Sequence, residues 1–149
     1  MSLAMSKTAE ISSLLLLDVN ALLALGWREH QAHSAVVERL HEHQRWASCN
    51  ITQLGFIRVS SNPGVFHQPT EPAEAARFLA TLTQDPLHLF IGLTPAPTAT
   101  PWPTKSGYKQ TTDVYLIELA EKSKATLLTL DLRLKRAFPN HAVEAIVVS

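Results

Sequence analysis

The sequence predicts an α/β fold: one domain with a central, mostly parallel five-stranded sheet and helices on both faces. Five short apolar runs lack the polar–apolar alternation of a half-wet strand, so they fit strands buried on both sides. Segments with helical spacing of apolar residues lie between them. Strand–helix alternation closed by right-handed crossovers gives a parallel sheet covered on both faces. The length of 149 residues suits one domain. A chain of that size buries roughly 68–70% of its unfolded surface, so it folds without a disulfide or structural metal.

Residues 1–10 read as a leader, with Met1–Ser6 and its second Met at position 5 expression-derived, and the domain is taken as residues 11–149. Leu14–Leu17 is the first apolar run and ends at Asp18. Glu29–Gln44 carries Ala32, Ala35, Val36, Leu40 and His43 at helical spacings. Trp46–Cys49 is a short strand, and Thr52–Ser60 a short helix with Leu54, Phe56, Ile57 and Val59 on one side. Pro72–Thr83 has Pro in its first turn and Ala75, Ala76, Leu79 and Leu82 on one face. Leu87–Gly92 is the third strand. Pro95–Thr104, with four prolines, is an extended surface loop. Thr112–Lys124 starts with Thr and Asp and ends with Lys122 and Lys124, the charge order that a helix dipole favours. Ala125–Leu130 is a strand closed by Asp131, and Leu132–Phe138 a helix stopped before Pro139. Ala145–Val148 is a strongly β-prone final strand.

Formal net charge is zero, so the overall field says little about partners. Residues 1–100 carry six Lys/Arg and eight Asp/Glu, and residues 101–149 seven and five, so the C-terminal third is mildly basic despite holding two of the candidate ligand acids. Cys49 is the sole cysteine, which excludes an intrachain disulfide and a Cys-based zinc site and makes a reducing cytoplasm the default. Leu14–Leu25 is interrupted by Asp18 and Asn20, too short and too polar to span a membrane. His30, His33, His41 and His43 read as a solvated helix face, and Trp27, Trp46 and Trp102 as packing residues.

The chemistry is expected at the carboxyl ends of the strands. Asp18 and Asp131 each close an apolar strand and precede a helical segment, and a parallel sheet presents its ligands outside that edge. Asp113 lies in the first turn of the helix feeding the strand that ends at Asp131. A crossover helix starts at the carboxyl edge, so the three acids can meet there. Each alone also reads as an ordinary helix cap or first-turn acid. Together they repel: two unit charges about 4 Å apart cost roughly 4 kcal/mol at an effective dielectric of about 20. Either one is protonated or a cation binds, and an all-oxygen donor set favours Mg2+ or Mn2+ over Zn2+.

Four blocks carry a family resemblance: Leu-Leu-Leu-Asp18-Val-Asn20-Ala-Leu-Leu; the run from Ile51 through Gln53 to Pro63; Gly107-Tyr-Lys-Gln-Thr-Thr-Asp113-Val-Tyr-Leu; and Leu128-Thr129-Leu-Asp131. In this order the chain resembles the PIN domain, and within it VapC-type toxins, from about Leu14 to Val148. The resemblance implies a single PIN-like domain and a metal-dependent endoribonuclease leaving a 5′-phosphate and a 3′-hydroxyl, the toxin of a toxin–antitoxin pair. It implies Asp18, Asp113 and Asp131 as ligands of Mg2+ or Mn2+. Asn20 would fix Asp18 or a water, and Thr129 would hydrogen-bond a ligand. One position departs from the pattern: PIN domains usually carry Glu where this chain has Gln53, and an amide brings no charge and cannot act as a base. Lys109, Arg133, Lys135 and Arg136, with Lys105 beside them, are candidate contacts to RNA phosphates. The resemblance also implies an antitoxin partner covering the cleft and a homodimer, for which apolar Phe56 and Tyr115 are candidates.

Two other enzyme classes fail on single residues. Haloacid-dehalogenase-type phosphatases need Asp where Asn20 stands, and receiver domains need a strand-ending Lys that Ala145–Val148 lacks. The remaining alternative is a PIN scaffold, weak in catalysis because of Gln53, that binds RNA or a protein without cutting.

Overall fold

The computed structural model describes residues 14–148 apart from Glu42 and Lys105. The leader at residues 1–10 and Lys105 therefore lie outside the described residues. The strands are β1 (Leu15–Leu17), β2 (Trp46–Cys49), β3 (His88–Ile91), β4 (Thr126–Thr129) and β5 (Val143–Ala145). The helices are α1 (Val19–Gly26), α2 (His33–Leu40), α3 (Asn50–Ser60), α4 (Pro72–Leu82), α5 (Thr111–Lys122) and α6 (Leu132–Ala137), with 3-10 turns at Pro97–Ala99 and Tyr108–Gln110. The sheet runs β3-β2-β1-β4-β5 and every pairing is parallel. β1 lies at the centre, so the order reverses beside it and the adjacent carboxyl ends open a crevice there.

β1 is buried on both faces, as its unalternated sequence predicts. Leu14 and Leu16 join a core with α5 and α6 on one face, while Leu15 and Leu17 join α1 to α4 on the other. Completely burying one Leu side chain contributes about 1.5–3 kcal/mol, so this strand anchors both layers. No described helix is long and apolar enough to cross a membrane.

Several boundaries differ from the sequence expectation, each for a physical reason. The helix after Asp18 had no visible end, because Leu14–Leu25 is almost wholly apolar. Asp18 divides it by accepting from the Val19 amide as helix cap. α2 is shorter than Glu29–Gln44, since residues 28–32 form turns in which the His30 ring accepts from the Ala32 amide. Here His33 is not on a wholly solvated face: its Nδ1 lies 2.7 Å from the Ala24 carbonyl. β5 precedes the expected Ala145–Val148 because β4 fixes its register: Leu127 pairs with Val143 and Thr129 with Ala145. Val147 and Val148, past the end of β4, are exposed. α5 ends through Lys124, which adopts a left-handed φ of 55° without glycine.

The two dimer candidates are corrected. Phe56 is fully buried against Trp27, and Tyr115 lies in the core with its hydroxyl donating to the Pro95 carbonyl at 2.5 Å. Neither is available to a partner. Trp27 and Trp46 are packing residues as expected. Trp27 stacks on Phe78 at 4.4 Å, and Trp46 is buried with its indole N–H donating to Asp85.

Candidate functional site

The carboxyl ends of β1 and β4 meet through one hydroxyl. Asp18 follows β1, and its amide donates to the Leu128 carbonyl of β4 at 2.9 Å. One carboxylate oxygen of Asp18 caps α1 through the Val19 amide at 2.8 Å, and the other accepts from the Thr129 hydroxyl at 2.9 Å. Thr129 Oγ1 in turn accepts from Asn20 Nδ2 at 3.3 Å and from the Asp131 amide at 3.1 Å. A hydroxyl has one proton and two lone pairs, so this one is fully used. The Asn20 carbonyl accepts from the Leu130 amide at 3.1 Å, which fixes the orientation of its own amide. Asp18, Asn20, Thr129 and the backbone of residues 130–131 thus form one network across about 110 residues of sequence.

Burial pushes the Asp18 carboxyl pKa up, opposed by the Thr129 and Val19 hydrogen bonds and reinforced by the charge of Asp131. Asp113, in the first turn of α5, is raised from the ordinary 3.8 to about 6 by burial and then by the charges of Asp18 and Asp131. Asp113 is thus within reach of the charges of Asp18 and Asp131, and Asp18 of that of Asp131.

They do not form the compact nest that the sequence suggests. Among the described residues, no three His, Cys, Asp or Glu side chains stand together as a metal-holding group. Asp131 serves as cap of α6, accepting from the Arg133 amide at 2.9 Å with the guanidinium Nε at 3.4 Å. The donor set still fits a hard dication in kind. It consists of oxygen acids, of which Asp18 and Asp113 are pushed toward their neutral forms by burial and by the charge of Asp131, and a cation relieves both.

Gln53, in the first turn of α3, belongs to a separate group. Its Nε2 donates to Ser48 Oγ at 3.0 Å, and Ser48 Oγ lies 2.7 Å from His88 Nε2. No hydrogen bond joins it to the acids among the described residues. α3 is nevertheless seated against α1 beside Asp18: a Cβ on Gly55 would come within 2.4 Å of Val19 Cγ2. Sequence reasoning missed Ser48 and His88, and nothing in their strand context marks them.

Of the basic candidates, Lys109 is exposed in the turn before α5, its amine 6.0 Å from the Tyr108 ring centre. Arg133 and Arg136 are exposed and Lys135 is half-buried on α6, so all three flank Asp131.

A PIN domain family model matches residues 15–138. Ribonuclease VapC38 of Mycobacterium tuberculosis H37Rv is 35% identical over 138 residues, covering 89% of this chain and 98% of that one. Ribonuclease VapC39 of the same strain is 33% identical over 141 residues, covering 88% and 98%. Ribonuclease VapC44 is 37% identical over 126 residues, covering 78% and 84%. With its all-parallel five-stranded sheet and acids at the central carboxyl edge, the chain belongs to the PIN domain family, in its VapC branch.

Proposed function

We propose that the chain is an endoribonuclease, the toxin of a toxin–antitoxin pair, that hydrolyses RNA phosphodiesters with Mg2+ or Mn2+ held by Asp18, Asp113 and Asp131. The observation that supports this reading is the Thr129 hydroxyl, which joins the Asp18 carboxylate after β1 to the Asp131 amide after β4, beside an Asp113 carboxyl raised by burial and then by the charges of Asp18 and Asp131. A divalent ion there would orient and acidify a water and neutralise charge developing on the phosphate.

The protein groups have separable tasks. Asp18 is oriented by Val19 and Thr129, and Asn20 fixes Thr129 and the 129–131 backbone. Gln53 contributes an amide but no base. Lys109, Arg133, Lys135 and Arg136 meet phosphates on either side. The Arg133 guanidinium, exposed and 3.4 Å from Asp131, is free to turn toward an RNA phosphate while the Arg133 amide keeps its bond to that carboxylate. The relatives are named ribonucleases. By the same reading an antitoxin covers the cleft, the chain pairs with a second copy, and it acts in the cytoplasm.

The experiment is co-expression with the neighbouring reading frame, purification, and RNA cleavage with Mg2+, Mn2+ or EDTA, beside Asp18→Asn. Cleavage that needs metal and Asp18 supports the nuclease. Gln53 in place of an acid favours the second reading, a non-cutting RNA-binding scaffold. RNA binding that survives Asp18→Asn, with no cleavage at any Mn2+ concentration, would decide for it.

A further inference from the structure

An amide and a carboxylate differ in one respect that matters at position 53. A carboxylate presents the same atom at either corner. An amide has an acceptor end and a donor end, and only the oxygen suits a cation or a water oriented by one. A glutamine here therefore needs something to choose its orientation.

The structure holds such a device. Ser48 is fully buried on β2, and His88 sits opposite Trp46 on β3 with its ring 4.5 Å from the indole. Burial lowers the His88 pKa, against the Thr83 backbone and Asp85, so the ring tends to be neutral. A neutral imidazole has one acceptor nitrogen. With Nε2 as that acceptor, the Ser48 proton goes to His88, and the Ser48 lone pairs accept from Gln53 Nε2. The chain of bonds then runs one way, Gln53 to Ser48 to His88, and the Gln53 oxygen is left on the side away from Ser48.

We propose that Ser48 and His88 are positioning residues that hold the Gln53 amide oxygen toward the Asp18 edge, so that a neutral side chain can serve there. This rests on reading that edge as a cation site. The supporting placement is short-range: α3 begins directly after β2, β2 lies beside β1, and Gly55 packs on Val19, the residue after Asp18.

The test combines Mn2+ titration by calorimetry, without RNA, with nuclear Overhauser contacts from the labelled Gln53 Nε2 protons. In the unsubstituted protein those protons should show contacts to Ser48 Hβ. Ser48→Ala should weaken Mn2+ binding about 10-fold, the lower end for a residue supporting a metal site. Placed on Gln53→Glu, the same substitution should change binding by less than about 2-fold, because a carboxylate has no wrong end. His88→Leu should behave like Ser48→Ala, whereas His88→Gln, which keeps an acceptor, should restore both the contact and the affinity. Equal losses from Ser48→Ala in both backgrounds, or no Gln53–Ser48 contact, would overturn the proposal. If Mn2+ does not bind at all, the cation-site reading and this proposal fail together. If the pattern holds but RNA is not cut, only the nuclease reading fails.

Discussion

Asp113→Asn should make the metal-free protein more stable, although it removes a proposed ligand. The Asp113 carboxyl is raised from 3.8 to about 6, and no hydrogen bond contributes to that rise. A carboxyl whose folded value is raised lends stability below its unfolded value and loses it as pH rises through the folded value. Fully converted, the rise would cost about 3 kcal/mol once the group is ionised; Asp113 is half-exposed, so solvent screening reduces this to about 1–1.5 kcal/mol. Asparagine keeps the shape and removes the charge. Urea unfolding in EDTA should thus show a gain of about 1–1.5 kcal/mol at about pH 8, shrinking to about 0.5 kcal/mol or less near pH 4.5. A loss of stability at the higher pH, or a gain independent of pH, would refute the view that burial, with the charges of Asp18 and Asp131, raises this carboxyl. RNA cleavage by the same variant should be lost, separating stability from activity.

Three further outcomes follow from the geometry. Thr129→Val removes a hydroxyl bonded to a carboxylate, an amide side chain and a backbone N–H, so stability should fall by about 2–4 kcal/mol in urea unfolding; a loss under about 1 kcal/mol would show the network to be dispensable. Mn2+ at about 100 times its dissociation constant should add about 2.7 kcal/mol to the stability of the unsubstituted protein by calorimetry and nothing to Asp18→Asn. Gly55→Ala should destabilise by about 1–3 kcal/mol because its Cβ meets Val19 at 2.4 Å, and adding Val19→Ala should restore at least half of that; no restoration would locate the strain elsewhere.

The residues readable in the sequence were those whose placement follows from chain direction. Trp46–Cys49 is correct to the residue because a strand buried on both faces cannot alternate, and Asp18, Asn20, Thr129 and Asp131 converge because parallel neighbours end at the same edge. Asp113 was placed by the direction in which a crossover helix runs. What failed depends on partners distant in sequence. The bounds of α1 were hidden in an apolar run without period, and β5 is set by the length of β4, not by its own β-prone residues. Phe56 and Tyr115 show that an apolar residue does not announce whether it faces the core or a neighbouring molecule. Ser48 and His88 were invisible because their meaning lies in a lateral contact between β2 and β3 and in the direction of one serine proton. That Asp131 caps α6 through the Arg133 amide was likewise not separable in the sequence from a role as ligand.

The Thr129 bridge also dictates when the cleft comes into being. β1 leaves the ribosome well before its neighbour β4, which is translated more than a hundred residues later. Until Thr129 and Asp131 have emerged and docked, Asp18 has neither its hydroxyl donor nor its companion acid. A partly synthesised chain therefore carries the sheet's first strand but no assembled cleft. The long-range closure that slows folding also ensures that whatever this edge does begins only after β4 and the residues just beyond it have been made.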